Sequence, residues 1–183
     1  MRPAPNAYEA ILDAAETVVS EAGAAHLTLD AVAAKAGVSK GGLLYHFPTK
    51  EALIQAMLDR IVGGHEAFWK KKETELRNER ASQIKSYILS TLSRDPKVGH
   101  RGVALLAGFA HNPKLLEPIR RYHRKVLAEV VSSNLGFERA AVVTLAANGL
   151  RLMEILSISP FDARQRKRVM EELLDLADKE NLS

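Results

Sequence analysis

Residues 27–50, LTLDAVAAKAGVSKGGLLYHFPTK, decide the fold of this 183-residue chain. They contain three short segments of helical character that are separated by two short breaks, the first of them at Gly37. Thr28, Ser39 and Thr49 each precede one segment, where a hydroxyl side chain can cap the N-terminus of a helix. A short helix, a turn that contains glycine and a second short helix are typical of a helix-turn-helix.

The second helix of such a motif lies in the DNA major groove, with its N-terminal residues toward the DNA. Gly41 and Gly42 in its first turn each cost about 1 kcal/mol of helix propensity relative to Ala, which indicates that another molecule approaches the backbone closely. Tyr45, His46 and Lys50 have polar tips that can reach phosphate oxygens, and helix N-termini attract the same anion. We therefore predict a DNA-contacting set of nine residues, namely Thr28, Ser39, Lys40, Gly41, Gly42, Leu44, Tyr45, His46 and Lys50.

The rest of the chain also has helical periodicity, and no segment alternates convincingly as a strand does. We therefore predict an all-α fold of about nine helices. Asn6, with Glu9 three residues later, predicts a first helix from about residue 7. Thr49 begins a fourth helix that runs to about residue 77, with a kink or break at Gly63-Gly64. Further helices are expected near residues 81–93, 101–111, 113–134, 137–157 and 161–180.

The composition suggests two domains. The helices before Lys50 are short and rich in alanine, whereas those after it are long and rich in Leu, Val and Ile. We expect a DNA-binding domain over residues 1–50 and a larger helical domain over residues 51–183. The net charge of +4 does not decide the function, because residues 1–50 contain four basic and five acidic side chains.

Several classes of protein are disfavoured. The chain has no cysteine, which excludes disulfides and cysteine-bound metals and suits the cytoplasm. The sequence has neither a signal-peptide pattern nor an apolar run that would span a membrane. No catalytic constellation or metal-binding histidine pair stands out, so we expect no enzyme activity, metal or cofactor. The alternative to a DNA-binding regulator is a helical module that binds proteins or small molecules and has no sequence-specific DNA binding.

Residues 7–62 resemble the N-terminal domain of the tetracycline-repressor (TetR) family of bacterial transcriptional regulators. Two positions differ from the family pattern: Leu44 stands where Tyr is usual, and Gly42 where Thr or Ser is common. The residues that carry the resemblance are Thr28, Ala33, Ala36, Gly37, Val38, Ser39, Gly41, Leu43, Phe47, Lys50, Glu51 and Leu53.

The resemblance implies an all-helical homodimer that binds double-stranded DNA at a palindromic operator. It also implies a larger C-terminal domain that binds a small-molecule inducer, for which we expect an apolar or amphipathic compound. Repression is the expected mode, although the sequence leaves activation open.

Two further sets of residues come from the C-terminal sequence. Small and apolar residues of the last two helices are the predicted dimer contacts: Ala140, Ala141, Thr144, Ala147, Val169, Leu173 and Leu176. The predicted ligand pocket is apolar, with one amide: Phe68, Ile88, Leu92, Leu105, Phe109, Leu127, Leu145, Asn148, Leu152 and Met153. Each of these pocket residues could equally belong to a plain hydrophobic core.

Overall fold

The computed structural model describes residues 6–93, 112, 114–131 and 135–178, and all regular structure in these ranges is helical. This confirms the predicted all-α fold, and the helix expected near residues 101–111 lies outside the described ranges. The eight α-helices in the described residues are α1 Ala7–Ala22, α2 Leu29–Ala36, α3 Lys40–His46, α4 Lys50–Glu75, α5 Ser82–Thr91, α6 Glu117–Val130, α7 Phe137–Ile155 and α8 Ala163–Asp178.

The predicted helix starts at the N-terminal end are all capped by side chains. Asn6, Thr28, Ser39 and Thr49 each accept a hydrogen bond from the backbone N–H three residues later, at 2.9 to 3.1 Å. Gly37 ends α2 in the left-handed conformation, with φ of 68°, which glycine adopts without a steric penalty. Local capping and the left-handed glycine therefore define the ends of the helices on either side of the turn.

Two predictions about the helices require correction. Of the kink or break predicted at Gly63-Gly64, the break does not occur, because α4 runs continuously from Lys50 to Glu75. The helix predicted from residue 113 begins at Glu117 instead. Pro118 explains this late start, because a proline in a helix interior removes a hydrogen bond and clashes with the preceding turn. In the first turn it is tolerated.

The chain divides into two compact units, residues 1–62 with 97–120 and residues 63–96 with 121–183. The predicted domain boundary at residue 50 falls inside the first unit. Among the described helices, none is long and apolar enough to cross a lipid bilayer.

Each unit has its own hydrophobic core. The first unit has a core of Ile11, Leu12, Val18, Val19, Leu27, Val32, Leu43, Phe47, Leu53, Ile54, Met57 and Leu58. The second has a core of Trp69, Ile84, Tyr87, Ile88, Val126, Val130, Ala140, Val143, Ala147, Leu150 and Leu173.

Arg60 joins α4 to α1 within the first unit. Its guanidinium lies 3.2 Å from a carboxylate oxygen of Glu9, 2.7 Å from one of Asp13 and 2.5 Å from one of Glu16. Glu16 is largely buried, with its side chain 11% exposed, and Arg60 is 26% exposed. Three acids on one face of α1 are thus held by a single cation.

Replacing Arg60 with Met should destabilise the protein by about 1–3 kcal/mol, because it removes the cation that the largely buried Glu16 contacts and leaves three carboxylates close together. The measurement is urea unfolding followed by circular dichroism. Lys35→Met is the matched control, since it removes a lysine from an exposed pair with Glu21 that should contribute less than about 1 kcal/mol. Equal losses in the two variants would contradict the role assigned to Arg60.

Candidate DNA-contacting surface and interior polar cluster

The helix α3 is held on the first unit by one fully buried side chain. Leu43 is 0% exposed and packs in the first core. Phe47, immediately after α3, is also buried, and Val32 and Ala33 of α2 belong to the same core. This anchoring fixes which face of α3 points outward.

Much of the outward face of α3 is open to solvent. Gly41, Gly42, Leu44 and Tyr45 are exposed, and Tyr45 reaches 84%. A methyl group added at Gly41 would meet nothing within 4 Å, whereas at Gly42 it would lie 3.3 Å from the capping oxygen of Ser39. Among the described residues, no neighbour therefore requires a glycine at position 41.

His46 belongs to a small group of aromatic rings at the end of α3. Its ring centroid lies 5.2 Å from that of Tyr45 and 6.2 Å from that of Tyr8. Tyr8 also packs against Phe47, at 4.9 Å. Sequence reasoning missed Tyr8. The available signal was a partly polar aromatic in the first turn of α1, which has the same character as Tyr45 and His46.

The lysines of this surface differ in their ion pairs. Lys40 contacts Asp30 at 2.9 Å, and Lys35 contacts Glu21 at 2.8 Å. Among the lysines and arginines of the described residues 6–62, Lys50 is the one with no carboxylate partner. It is the first residue of α4, where the helix dipole adds to its positive charge.

Gly41→Ala should make the protein more stable and its DNA binding weaker. Alanine gains up to about 1 kcal/mol of helix propensity, whereas a methyl group on a surface that closely approaches DNA should reduce affinity about ten-fold. Gly64→Ala is the matched control, because its added methyl group also meets nothing within 4 Å but lies in the second unit. Thermal unfolding and DNA titration test both; unchanged affinity for Gly41→Ala would exclude close backbone approach at this position.

The second unit contains a hydrogen-bonded polar cluster in its interior. The hydroxyl of Tyr87, which is 1% exposed, lies 3.1 Å from Oδ1 and 2.8 Å from Nδ2 of Asn148. The same Nδ2 donates to the carbonyl of Thr144 at 2.8 Å. The indole N–H of Trp69 donates to the hydroxyl of Ser86 at 2.9 Å, and the Trp69 ring meets Tyr87 edge-on at 5.5 Å.

Burial shifts the pKa values of several groups in this unit. It lowers the pKa of His65 below its usual value, and the nearby side chains of Arg151 and His123 lower it further. Burial also raises the pKa of Tyr122 far above its usual value. It raises the pKa of Tyr87 too, against the opposing hydrogen bond from Asn148. The described residues contain no group of three or more acidic or histidine side chains placed to hold a metal ion.

The predicted pocket residues do not all face the interior. Ile88 and Leu92 are buried in the second core, and Leu127, Asn148 and Met153 are half-buried. Leu105 and Phe109 lie outside the described residues. The side chains of three members are exposed: Phe68, Leu145 and Leu152. In this conformation they cannot line an interior pocket of a single chain.

The predicted dimer contacts are also distributed over two faces. Four of them are buried in the chain's own second unit and have little surface to offer a partner: Ala140, Thr144, Ala147 and Leu173. Ala141, Val169 and Leu176 are half-buried.

Another face of α7 is apolar and exposed, with Leu145 at 71%. Four residues of this face and the C-cap residue of α7 recur at alternating intervals of three and four: Val142, Leu145, Gly149, Leu152 and Leu156. We call this set the α7 stripe.

Comparison with known proteins agrees with the helix-turn-helix. A family model described as "Bacterial regulatory proteins, tetR family" matches residues 11–57. A second, "Tetracyclin repressor-like, C-terminal domain", matches residues 81–178, which is more than half of the chain. The chain belongs to the TetR family of transcriptional regulators.

Individual relatives are distant. The HTH-type transcriptional regulator TtgR of Pseudomonas putida is 37% identical over 65 residues, which are 36% of this chain and 31% of that protein. The chain thus spans about a third of the length of this relative. The HTH-type transcriptional regulator BetI of Burkholderia cenocepacia is 25% identical over 177 residues, 91% of each protein.

Solved structures have the same fold. A TetR-family member from Streptomyces coelicolor is 25% identical, with a TM-score of 0.73 over 94% of this chain and 98% of that one. The multidrug binding protein EbrR, in its complex with malachite green, is 23% identical, with a TM-score of 0.76 over 94% and 98% of the two chains. The similarity to EbrR concerns the fold alone.

Proposed function

We propose that this regulator is a repressor that binds a palindromic operator as a homodimer and is released by a small apolar or amphipathic ligand. The exposed face of α3 is the observation that carries the DNA-binding part. Tyr45 is exposed and Gly41 is open, although neither feature stabilises the folded chain. Both are accounted for if α3 enters the major groove and Lys50 contacts a flanking phosphate.

The α7 stripe supports a dimer. Five positions at alternating intervals of three and four lie on one side of a helix, as the contact positions of packed helices do. Exposed apolar patches of this kind on a globular protein mark interaction sites. A second copy of the chain is the simplest partner, because a two-fold interface brings two α3 helices to two half-sites about one DNA turn apart.

The operator can be found and its symmetry checked directly. The purified protein is used to select fragments of the source genome, and the bound fragments are then footprinted. The proposed dimer predicts a protected site of two inverted half-sites, centred about one helical turn of DNA apart. Protection of a single half-site, or of unrelated sequences without common bases, would contradict a dimeric sequence-specific repressor.

The continuity of α4 supports the proposal that a ligand releases the protein from DNA. The same helix supplies Lys50 in the first unit and His65 and Trp69 in the second. We suggest that a ligand bound among the helices of the second unit shifts α4 and changes the spacing of the two α3 helices. A ligand can do this only by binding the DNA-incompetent conformation better.

The hydrogen-bonded pair of Tyr87 and Asn148 is the part of the second unit most suited to orient a ligand, because pockets are mostly apolar with a few placed polar groups. We expect malachite green, a dye that EbrR binds, to raise the unfolding temperature in a concentration-dependent way. Asn148→Leu should reduce that rise by more than half. The control is Glu138→Gln, which changes an exposed residue of the same helix that belongs to neither the predicted pocket nor the α7 stripe. Equal dye-induced shifts in Asn148→Leu and Glu138→Gln would argue against this orienting role.

A further inference from the structure

Residues 6–62, which include the helix-turn-helix, are acidic, which is unusual for a segment that binds a polyanion. Residues 6–62 contain four lysines and arginines and seven aspartates and glutamates. Most of the acids lie on α1, where three of them are held by Arg60. Asp30 is different, because it lies in the first turn of α2 and contacts Lys40, the first residue of α3.

The contact between Lys40 and Asp30 uses both carboxylate oxygens. The ammonium nitrogen lies 2.9 Å from Oδ1 and 3.2 Å from Oδ2. The two side chains are 61% and 71% exposed, so solvent, or a phosphate group, can reach both. Lys40 therefore cannot bind a DNA phosphate at full strength without first weakening an existing ion pair.

We propose that Asp30 weakens DNA binding by holding Lys40 in an ion pair that a DNA phosphate must displace. This inference rests on the proposed DNA-binding function. After displacement, the carboxylate of Asp30 remains beside the phosphate, and the two like charges repel. The existing ion pair and the repulsion both weaken DNA binding, and a dimer contains two copies of each.

A restraint of this kind suits a regulator that must leave its operator when a ligand binds. A ligand can shift the equilibrium between the DNA-binding and the DNA-incompetent conformation only by its differential affinity for the two. A moderate DNA affinity therefore allows a ligand to release the protein. Asp30 sets that affinity without contacting a base. We therefore expect its effect to be similar on operator DNA and on unrelated DNA.

The chain contains a matched control for this ion pair. Glu21 and Lys35 form another exposed pair, at 2.8 Å, with side chains 61% and 42% exposed. Lys35 follows Asp30 by five residues, which places it roughly 140° around α2. Neither Glu21 nor Lys35 belongs to the predicted DNA-contacting set. Glu21→Gln removes the same charge from the same unit as Asp30→Asn does.

The experiment is fluorescence anisotropy with a genomic fragment selected by the parent protein and with an unrelated duplex, each at low and at physiological salt. Asp30→Asn should bind about 3- to 10-fold more tightly than the parent at low salt, and Glu21→Gln less than about two-fold more tightly. The slope of log affinity against log salt should be steeper for Asp30→Asn than for the parent by about one to two per dimer. The reason is that Lys40 is then available to a phosphate in both half-sites. Circular dichroism checks that α2 is intact, since Asp30 also favours the N-terminus of that helix.

A second variant tests whether the effect passes through Lys40. In a Lys40→Met background, Asp30→Asn should lose most of its gain, as a double-mutant cycle measures. Equal affinities for Asp30→Asn and Glu21→Gln would overturn the inference, and so would weaker binding by Asp30→Asn, which would make Asp30 a residue that positions Lys40 productively. If the parent itself shows no salt-sensitive DNA binding, the proposed function fails and this inference fails with it.

Discussion

Charged residues in the α7 stripe should convert the proposed dimer into a monomer. In Leu145→Glu with Leu152→Glu, each two-fold interface would bury four carboxylates without partners, which costs far more than the interface gains from apolar contact. DNA affinity should then fall by about 100-fold or more, since each protein holds only one half-site. Analytical ultracentrifugation measures the mass and anisotropy measures the affinity.

The control for this pair adds the same charge elsewhere in the second unit. Ala67→Glu with Ala128→Glu places two carboxylates at exposed alanines of α4 and α6. This variant should keep the parent's mass and lose only the small part of its affinity that is due to net charge. A double-leucine variant that sediments like the parent would show that the stripe is not the interface.

Removal of Tyr45 and Lys50 should abolish most DNA binding while leaving the protein folded. Tyr45→Ala with Lys50→Ala deletes two proposed phosphate contacts from each half-site, four from a dimer. At roughly 1 kcal/mol for each contact, the loss is about 100- to 1,000-fold. Because phosphate contacts carry no sequence information, operator and unrelated DNA should lose affinity alike.

The salt dependence gives a second observable for the same variant. Loss of Lys50 from both half-sites should reduce the slope of log affinity against log salt by about two. The matched control is Phe68→Ala with Lys71→Ala, which removes an exposed ring and an exposed ammonium group from α4 in the second unit. Equal losses from the two variants would mean that the contact surface has been assigned to the wrong residues.

The parts of the fold that were predictable from the sequence are those that local chemistry determines. Asn6, Thr28 and Ser39 cap helices because a short oxygen-bearing side chain can satisfy the N–H groups of the next turn, and each of them does so. Gly37 occupies a conformation that few other residues adopt. The start of α6 was predicted too early because Asn112-Pro113 has the pattern of a cap followed by proline at the first helical position, whereas the helix begins at Glu117, one residue before Pro118.

The face that each C-terminal helix buries was not predictable in the same way. Small residues allow helices to approach closely, but the sequence does not say whether the neighbouring helix belongs to the same chain. Ala140 and Ala147 were therefore predicted as dimer contacts, and the structure buries both within the second core. Leu145, predicted as a pocket residue, is exposed instead. Periodicity identifies the faces of a helix, and only tertiary packing assigns a partner to each face.

The proposed function requires that α3 and its flanking residues bind a particular DNA sequence. The most direct measurement is fluorescence anisotropy of the purified protein with DNA from upstream of its own gene, at several salt concentrations and beside an unrelated duplex. We expect saturable binding that weakens steeply as salt rises and exceeds binding to the unrelated duplex at every concentration. Equal binding to the two duplexes, with fragments selected from the genome giving no improvement, would contradict the claim.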